Sequence, residues 1–492
     1  MENESYIHFV QPPDNAEDIL REAAYGEPYG EAREEWGQRL LRALDLPDER
    51  LNKRCLKILM TLAKKPIDSL NQACQGWSDA KAAYRFVEND RVSPEDLQNP
   101  ITKAAALETT GQKVVIAVQD TTAISFDSAR RAEGLGTVND SEKARGMFYH
   151  PVLLLREDGL ALGLLDQQAW CRESQVEGKA KDRRNRPIME KESAKWLRGV
   201  AGANLALKTN LQESERPKII HVMDREGDVH EVFQIVETIG DGAVIRSAHN
   251  RSAEAASGEK GYVHDLVAKT APLGETVINV PRKRGQKARN VTMEVRSLLV
   301  TLNPKKERHT DRRPIALTLV ELREMAPPKG LEPLLWLLWT NEPASELGDA
   351  LRVIDIYCLR WRIEDFFRVL KGGCRIEDLQ FETAQRLEKM VSLYAPVALR
   401  ILQCRDLARL NPKAPCTVAL SPNEWKTLWI YIHRSMPHPA QEPPSIEQAT
   451  LWVGRLGGHL NRKSDGMPGV ITLWRGFRDL SLLTEMYILT RQ

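Results

Sequence analysis

The 492-residue sequence lacks any apolar run long enough to cross a membrane. Its longest runs, "VVIAV" near 114 and "LLWLLW" near 334, are far shorter than the roughly 20 apolar residues that a transmembrane helix requires. The first residues, "MENESYIHF", contain no cationic start followed by an apolar block, so a secretory leader is not predicted. We therefore expect no membrane partner.

The cysteines and histidines form no recognisable metal or disulfide pattern. The seven cysteines are an odd number and include no Cys-x-x-Cys pair, which argues against a disulfide framework and a zinc ribbon. None of the ten histidines belongs to an HExxH motif, and single ones such as His221 and His264 are expected to be packed or surface residues. A reducing cytoplasm is the expected compartment.

Charge is segregated along the chain although the formal net charge is only +2. Residues 1–36 contain ten Asp or Glu and two Arg, whereas residues 281–313 contain eleven Lys or Arg and three acids. A second basic cluster, "KAKDRRNR", spans 179–186. Such clusters fit a polyphosphate partner such as DNA. Each of them, taken alone, fits a solvated loop equally well.

The chain length predicts two or three domains, and the composition, 42% hydrophobic and 28% charged, is that of a soluble globular protein. After an acidic extension, 1–36, helical periodicity predicts a small helical domain over 37–100. Over 101–410 the order strand, hairpin, helix, strand, helix, strand predicts an α/β fold with a mixed sheet, and residues 250–340 form an all-β insertion. Residues 411–492 are predicted to be a helical C-terminal domain.

Two of the predicted central strands end in a carboxylate. Asp120 follows "VVIAVQ" and Asp224 follows "IIHVM", and both runs are apolar enough for strands that are buried on both faces. The carboxyl ends of adjacent strands are where α/β sheets bind ligands, so the two side chains could converge there. The alternative is that each Asp only caps a turn.

A third acid, Glu364, lies in "YCLRWRIEDFFRVLKGG", residues 357–373, which predicts one helix that ends at a left-handed glycine cap. At about 100° per residue, Tyr357, Arg360, Glu364 and Lys371 project beside the apolar stripe of that helix. Arg can bind a phosphate in a forked geometry, and Lys supplies a point charge, so Tyr357, Arg360 and Lys371 are predicted to contact DNA around Glu364. The alternative is that Arg360 and Glu364 form an i, i+4 surface pair.

Three carboxylates from separate elements suit Mg²⁺, with Mn²⁺ as a substitute. Two such ions, about 3.5 to 4 Å apart, could promote phosphodiester cleavage. Three further acids, Glu226, Asp228 and Asp127, lie near the strand ends but in polar turns, where solvated or capping roles are favoured.

The spacing Tyr357-x2-Arg360-x3-Glu364-x6-Lys371 matches the YREK signature of the insertion-sequence-four family of DDE cut-and-paste transposases, which includes the Tn-five transposase. Further stretches resemble this family in the same order along the chain: "AYRF" (83–86), "QDTTAISF" around Asp120, "MDREGDVH" around Asp224, "PPKGLEPLLWLLWTNEP" and "RLGGHLNRKSDGMPGVITLWRGF". The resemblance covers almost the whole chain.

This resemblance implies a ribonuclease-H-like catalytic core in which Asp120, Asp224 and Glu364 bind two divalent ions. It also implies a DNA-binding N-terminal domain and a homodimer that acts on paired transposon ends. The reaction that the resemblance implies begins with a nick in one strand. The freed 3′-hydroxyl then attacks the opposite strand to form a hairpin, which is reopened before the ends are joined to target DNA.

Two further residues match family positions that contact DNA. Trp336 matches the aromatic residue that receives a flipped base, although by itself it reads as a core strand residue. Arg246 matches a DNA-contacting arginine, whereas Ala248 stands where a lysine is expected. Two alternatives remain open: a DNA-binding regulator that has lost catalysis, and a metal-dependent nuclease that joins no strands.

Overall fold

The computed structural model describes residues 36–66, 68–74, 76–126, 129, 131–138, 144–172, 186–280, 289–304, 312–328, 330, 332–462 and 465–490. The predictions about the acidic segment up to residue 35, about Asp127 and about the basic residues 179–185, 281–288 and 305–311 lie outside the described residues. No helix in the described part is long and apolar enough to span a membrane.

Strands are numbered β1 to β13 in chain order through the described residues. They are Val114–Gln119, Thr122–Ser125, Gly136–Thr137, Arg145–Leu155, Ala161–Trp170, Lys218–Met223, Gly242–Arg246, Ser252–Ala255, Lys260–Tyr262, Gly274–Val280, Arg289–Leu302, Ile315–Glu324 and Leu335–Thr340.

The α-helices precede, cover and follow these strands. They are Trp36–Leu40, Glu49–Lys64, Leu70–Ala73, Trp77–Glu88, Pro94–Leu107, Ala194–Asn210, His230–Ile239, Val263–Ala268, Leu347–Cys358, Trp361–Arg368, Ala384–Leu410, Pro422–His433, Ile446–Leu456 and Val470–Leu489.

The chain divides into two compact units, each built from segments that are distant in sequence. In its described part, the first unit consists of Thr109–Asp120 and of the described residues from 186 to 362. Its strands run in the order β1, β6, β7, β13, β12, β11, β8, β9, with β10 paired to β11. The first three are parallel and the others are antiparallel, so the predicted mixed sheet is confirmed.

Helices Ala194–Asn210 and His230–Ile239 pack on this sheet through a core that contains Trp196, Phe233 and Trp339. Helix His230–Ile239 ends where Gly240 adopts φ +80°, a conformation that glycine reaches without steric cost. The chain then returns directly into β7. The predicted order of strand, helix and strand around Asp224 is thereby confirmed.

The second unit contains the helical regions at both ends of the described chain, together with β2 to β5. β4 and β5 form the predicted hairpin, and Gly159 in its turn adopts φ +87°. Helix Pro94–Leu107 packs on β5 so closely that a Cβ atom on Gly163 would lie 2.2 Å from the Cβ atom of Ala105. Ser93 and Asp96 form a capping box at the start of this helix.

The prediction of one helix over 357–373 was wrong. The helix Leu347–Cys358 ends in a tight turn, because the amides of Leu359 and Arg360 bond to the carbonyls three residues earlier. A second helix, Trp361–Arg368, continues into a π-helical turn over Val369–Gly373. The predicted glycine cap was also wrong, because the left-handed residue is Arg375, at φ 50°. The limits of the predicted domains stay predictions.

Candidate active site

The register of β1 and β6 brings two predicted carboxylates to the same edge of the sheet. The strands pair in parallel from Val114 opposite Lys218 to Val118 opposite Val222. Asp120 and Asp224 each follow the last of these pairs by two residues, so the same register aligns them at the carboxyl ends of adjacent strands. This is the position from which an open α/β sheet presents ligand-binding groups.

Arg360 lies against the first of these carboxylates. Its Nη1 donates to Oδ2 of Asp120 over 3.1 Å, and the two side chains are only 7% and 16% exposed. The guanidinium also stacks over the indole of Trp361, with its central carbon 4.3 Å from the ring centroid. Arg360 is therefore a buried residue that is bonded to Asp120.

Asp224 is held by the loop that it begins. Its Oδ1 accepts a hydrogen bond of 2.8 Å from the amide of Glu226 and caps the short 3₁₀ turn Arg225–Gly227. Burial raises the pKa of the Asp224 carboxyl, and the charge of Glu226 adds to this, whereas the amide bond, Arg360 and Lys195 lower it. A bound cation would offset the cost of keeping this half-buried carboxylate charged.

Lys195, which has no signal in the sequence, is one of the positive charges that lower the pKa of Asp224. Its side chain is 8% exposed, and its Nζ lies 3.1 Å from Oε2 of Glu226. The residue stands in the first turn of helix Ala194–Asn210. A lone lysine in an amphipathic helix carries no sequence signal for such a role, since lysines usually face solvent. Glu226, for which a solvated or capping role was favoured, therefore has a salt-bridge partner.

Asp228 links two loops of the first unit through hydrogen bonds and an ion pair. Its buried carboxylate accepts from the amides of Ala248 and His249, at 2.8 and 3.2 Å, and pairs with Arg251 at 2.6 Å. Burial raises the pKa of this carboxyl, and the charge of Arg251 opposes that effect most strongly. The capping role favoured for Asp228 fits these bonds. Ala248 stands where the family resemblance led us to expect a lysine, and its backbone amide donates one of these hydrogen bonds.

A buried polar chain lies beneath the two strand ends. Gln119, which precedes Asp120, has its Nε2 3.4 Å from Nδ1 of His221, and Nε2 of that ring lies 3.2 Å from Oδ2 of Asp241. All three side chains are buried. His221 is thus a packed residue, which was one of the two roles expected for it.

Besides Arg360, three predicted DNA contacts, Trp336, Tyr357 and Arg246, belong to the first unit and are buried in the structure. Trp336 meets Tyr357 edge to face, with ring centroids 5.5 Å apart. Arg246 is the last residue of β7, where it pairs with Leu338 of β13. Trp336 therefore packs as the core strand residue that its sequence context suggests, and the DNA contacts predicted for the three residues stay predictions.

The second unit carries the other two signature residues. Glu364 lies in the first turn of helix Trp361–Arg368. The Nζ of Lys371, in the π-helical turn, donates to the carbonyl of Ala123 and lies 4.0 Å from Oε1 of Glu377. Burial lowers the pKa of the Lys371 ammonium, and the charges of Glu377 and Glu364 partly offset this effect.

The oxygen donors in the first unit suit a divalent cation. Asp120 and Asp224 offer carboxylate oxygens, the ligands that Mg²⁺ and Mn²⁺ prefer, and the burial of Asp224 favours a positive neighbour. Within the described ranges, however, no group of three or more His, Cys, Asp or Glu side chains could hold a metal ion. The predicted set of three carboxylates, including Glu364, gains no support from this and stays a prediction.

Three family models match the chain. "Transposase DNA-binding" matches residues 33–92, "Transposase DDE domain" matches 171–398, and "Transposase Tn5 dimerisation domain" matches 396–492. Among solved structures, the chain is similar to that described as "Cryo-EM structure of piggyBac transposase synaptic complex with hairpin DNA". That similarity has a TM-score of 0.35 at 10% identity and covers 80% of this chain and 72% of the other.

Proposed function

The chain belongs to the Tn5-like DDE transposases, and from that premise we propose that it performs cut-and-paste transposition. It carries the DNA-binding, DDE and dimerisation domains of this family, and thus binds DNA and forms a dimer. In the proposed reaction, each transposon end is nicked, closed into a hairpin, reopened and joined to target DNA. The observation that carries the proposal is the alignment of Asp120 and Asp224 at the ends of two adjacent parallel strands.

We assign Asp120, Asp224 and Glu364 as the metal-binding carboxylates. Two divalent ions, Mg²⁺ or Mn²⁺, would activate the attacking hydroxyl and stabilise the departing oxygen of the phosphodiester. The ion pair with Arg360 orients the Asp120 carboxylate when no ion is bound.

The remaining assignments concern the DNA. Arg360, beside Asp120, is positioned to exchange its carboxylate partner for a phosphate oxygen when an ion binds. Lys371 is assigned as a second phosphate contact, since an ammonium supplies a point charge that phosphate oxygens can bind. Tyr357, Trp336 and Arg246 are assigned to the DNA near the hairpin. For Trp336 this requires a base to displace the edge of the Tyr357 ring.

Incubation with duplex DNA that carries the end sequence of its own element tests the proposal. With Mg²⁺, the protein should give nicked and then hairpin products on a denaturing gel. Nicks without hairpins would favour the nuclease that joins no strands, and binding without any cleavage would favour the catalytically silent regulator.

The variant Glu364→Ala tests the third carboxylate. We expect it to lose nicking, hairpin formation and strand transfer by at least about 1,000-fold while end binding in a gel-shift assay changes less than about threefold, because a metal ligand acts on the chemical step. Asp378→Ala is a matched control, since this acid pairs with Arg375 and is exposed. Cleavage by the Glu364 variant at the control's rate would show that the assignment is wrong.

A further inference from the structure

A buried ionic cluster lies directly beside Glu364 in the chain. Asp365, the next residue, accepts a hydrogen bond of 2.6 Å from Nη1 of Arg405, and its other oxygen accepts one of 2.8 Å from Arg368. Nε and Nη2 of Arg405 donate to Oδ1 of Asp406 at 3.2 and 3.1 Å. The side chains of Arg405, Asp365 and Asp406 are at most 5% exposed.

The cluster joins two helices of the second unit. Asp365 belongs to helix Trp361–Arg368, and Arg405 lies 40 residues later in the long helix Ala384–Leu410. Consecutive residues of a helix project about 100° apart, so the bond to Asp365 fixes the rotation of the helix that also presents Glu364. A rotation that moved Glu364 would have to pull Asp365 away from a buried guanidinium.

A second contact fixes the end of the same segment. A Cβ atom on Gly373, at the end of the π-helical turn, would lie 3.1 Å from Cδ1 of Trp474 in helix Val470–Leu489. π-Helical turns are rare and occur frequently at functional sites. The turn carries Lys371. Glu364 and Lys371 therefore both lie on a segment whose end packs against the C-terminal helix Val470–Leu489.

We infer that Arg405 is a positioning residue that orients Glu364 as a metal ligand, so that a residue of the dimerisation region supports this proposed ligand. Arg405 lies within residues 396–492, which match the dimerisation domain, whereas Glu364 lies within the DDE match. The inference rests on the proposed function, because it takes Glu364 as a metal ligand.

The chemistry of the cluster suits a role in orienting the two helices better than a role in raising the free energy of unfolding. Buried ion pairs contribute little net stability relative to apolar packing, but their geometry is specific. Arginine donates to both Asp365 and Asp406 through fixed directions of one planar group, which lysine cannot reproduce. The arrangement therefore restrains the orientation of the two helices, which is the property that a metal ligand requires of its support.

Binding of Mn²⁺ to the full-length protein without DNA, followed by electron paramagnetic resonance, tests the inference separately from activity. We expect Arg405→Met and Asp365→Asn each to raise the dissociation constant for Mn²⁺ at least about tenfold, and Arg405→Lys to recover only part of the loss. Cleavage of end DNA should fall in kcat, with little change in the DNA concentration that gives half-maximal rate. Arg478→Met, which breaks an exposed pair with Asp479, is the matched control and should change neither quantity.

Thermal unfolding and the wild-type reaction separate the possible outcomes. If the Arg405 and Asp365 variants melt at a lower temperature but keep the Mn²⁺ affinity and kcat of the wild type, the cluster is only structural and the inference is wrong. If Arg405→Met does not fold, the isosteric Asp365→Asn carries the test. If the wild-type protein binds Mn²⁺ but never nicks DNA, the proposed function fails, while the comparison of Mn²⁺ affinities still decides the role of Arg405.

Discussion

Removal of the Arg360 guanidinium should destabilise the metal-free protein through Asp120. In Arg360→Met the side chain keeps its apolar length but loses the donor 3.1 Å from Oδ2 of Asp120. The carboxylate then remains largely buried without this partner, next to Asp224, whose carboxyl already has a raised pKa through burial. The desolvated Asp120 charge then lacks the counter-charge of Arg360.

The exposure of the pair sets the size of this effect. Breaking a fully buried ion pair costs about 3 to 5 kcal/mol, whereas an exposed pair is worth about 0 to 1 kcal/mol. Arg360 is 7% exposed and Asp120 is 16% exposed, which places the expected loss near the lower end of the buried range, at about 3 kcal/mol. Each single variant already breaks the pair, so breaking it is counted twice when the two losses are added. The double variant, Arg360→Met with Asp120→Asn, should therefore lose about 2 kcal/mol less free energy of unfolding than the two single variants together.

Urea unfolding followed by far-ultraviolet circular dichroism, in buffer with a chelator, measures the four free energies of this double-mutant cycle. Arg478→Met serves as the control, because its pair with Asp479 is exposed and should be worth less than about 0.5 kcal/mol. A coupling energy below about 0.5 kcal/mol between Arg360 and Asp120 would refute the reasoning, since two residues that do not interact have additive effects.

Two further predictions concern the second unit. Burial raises the pKa of Asp166 from 3.8 to about 6, so the unfolded chain releases this proton at a lower pH than the folded chain, and the group's contribution to the free energy of unfolding falls as pH rises from about 4 to about 6. Asp166→Asn should remove that slope, and urea titrations at pH 4.5 and pH 7 check it; an unchanged slope would mean that Asp166 titrates normally. Gly163→Ala should cost about 1 to 3 kcal/mol, because the added methyl group meets Ala105 at 2.2 Å. Gly76→Ala, where the added methyl group has no atom of the described residues within 4 Å other than those of its chain neighbours, should shift the melting temperature far less. Equal shifts for both variants would contradict the packing argument.

The central strands and their terminal acids follow from local sequence alone. An apolar run such as "VVIAVQ" is buried on both faces wherever it lies, so its strand character is a local property. The turn of the β4–β5 hairpin was equally local, because Asp158 and Gly159 provide the conformation that it needs. The family resemblance also depends only on residue types and spacing.

The tertiary structure decided which residues meet. A helical pattern continues through Arg360, yet the chain turns there, and the buried guanidinium bonds to Asp120, 240 residues earlier. Nothing local marks Lys195 or Arg405 as partners of acids, since the same side chains on an amphipathic helix normally face solvent. Periodicity reports only which face of an element is apolar. The partner of a buried charge is set by the register of strands and the packing of helices, which depend on residues far apart in the chain.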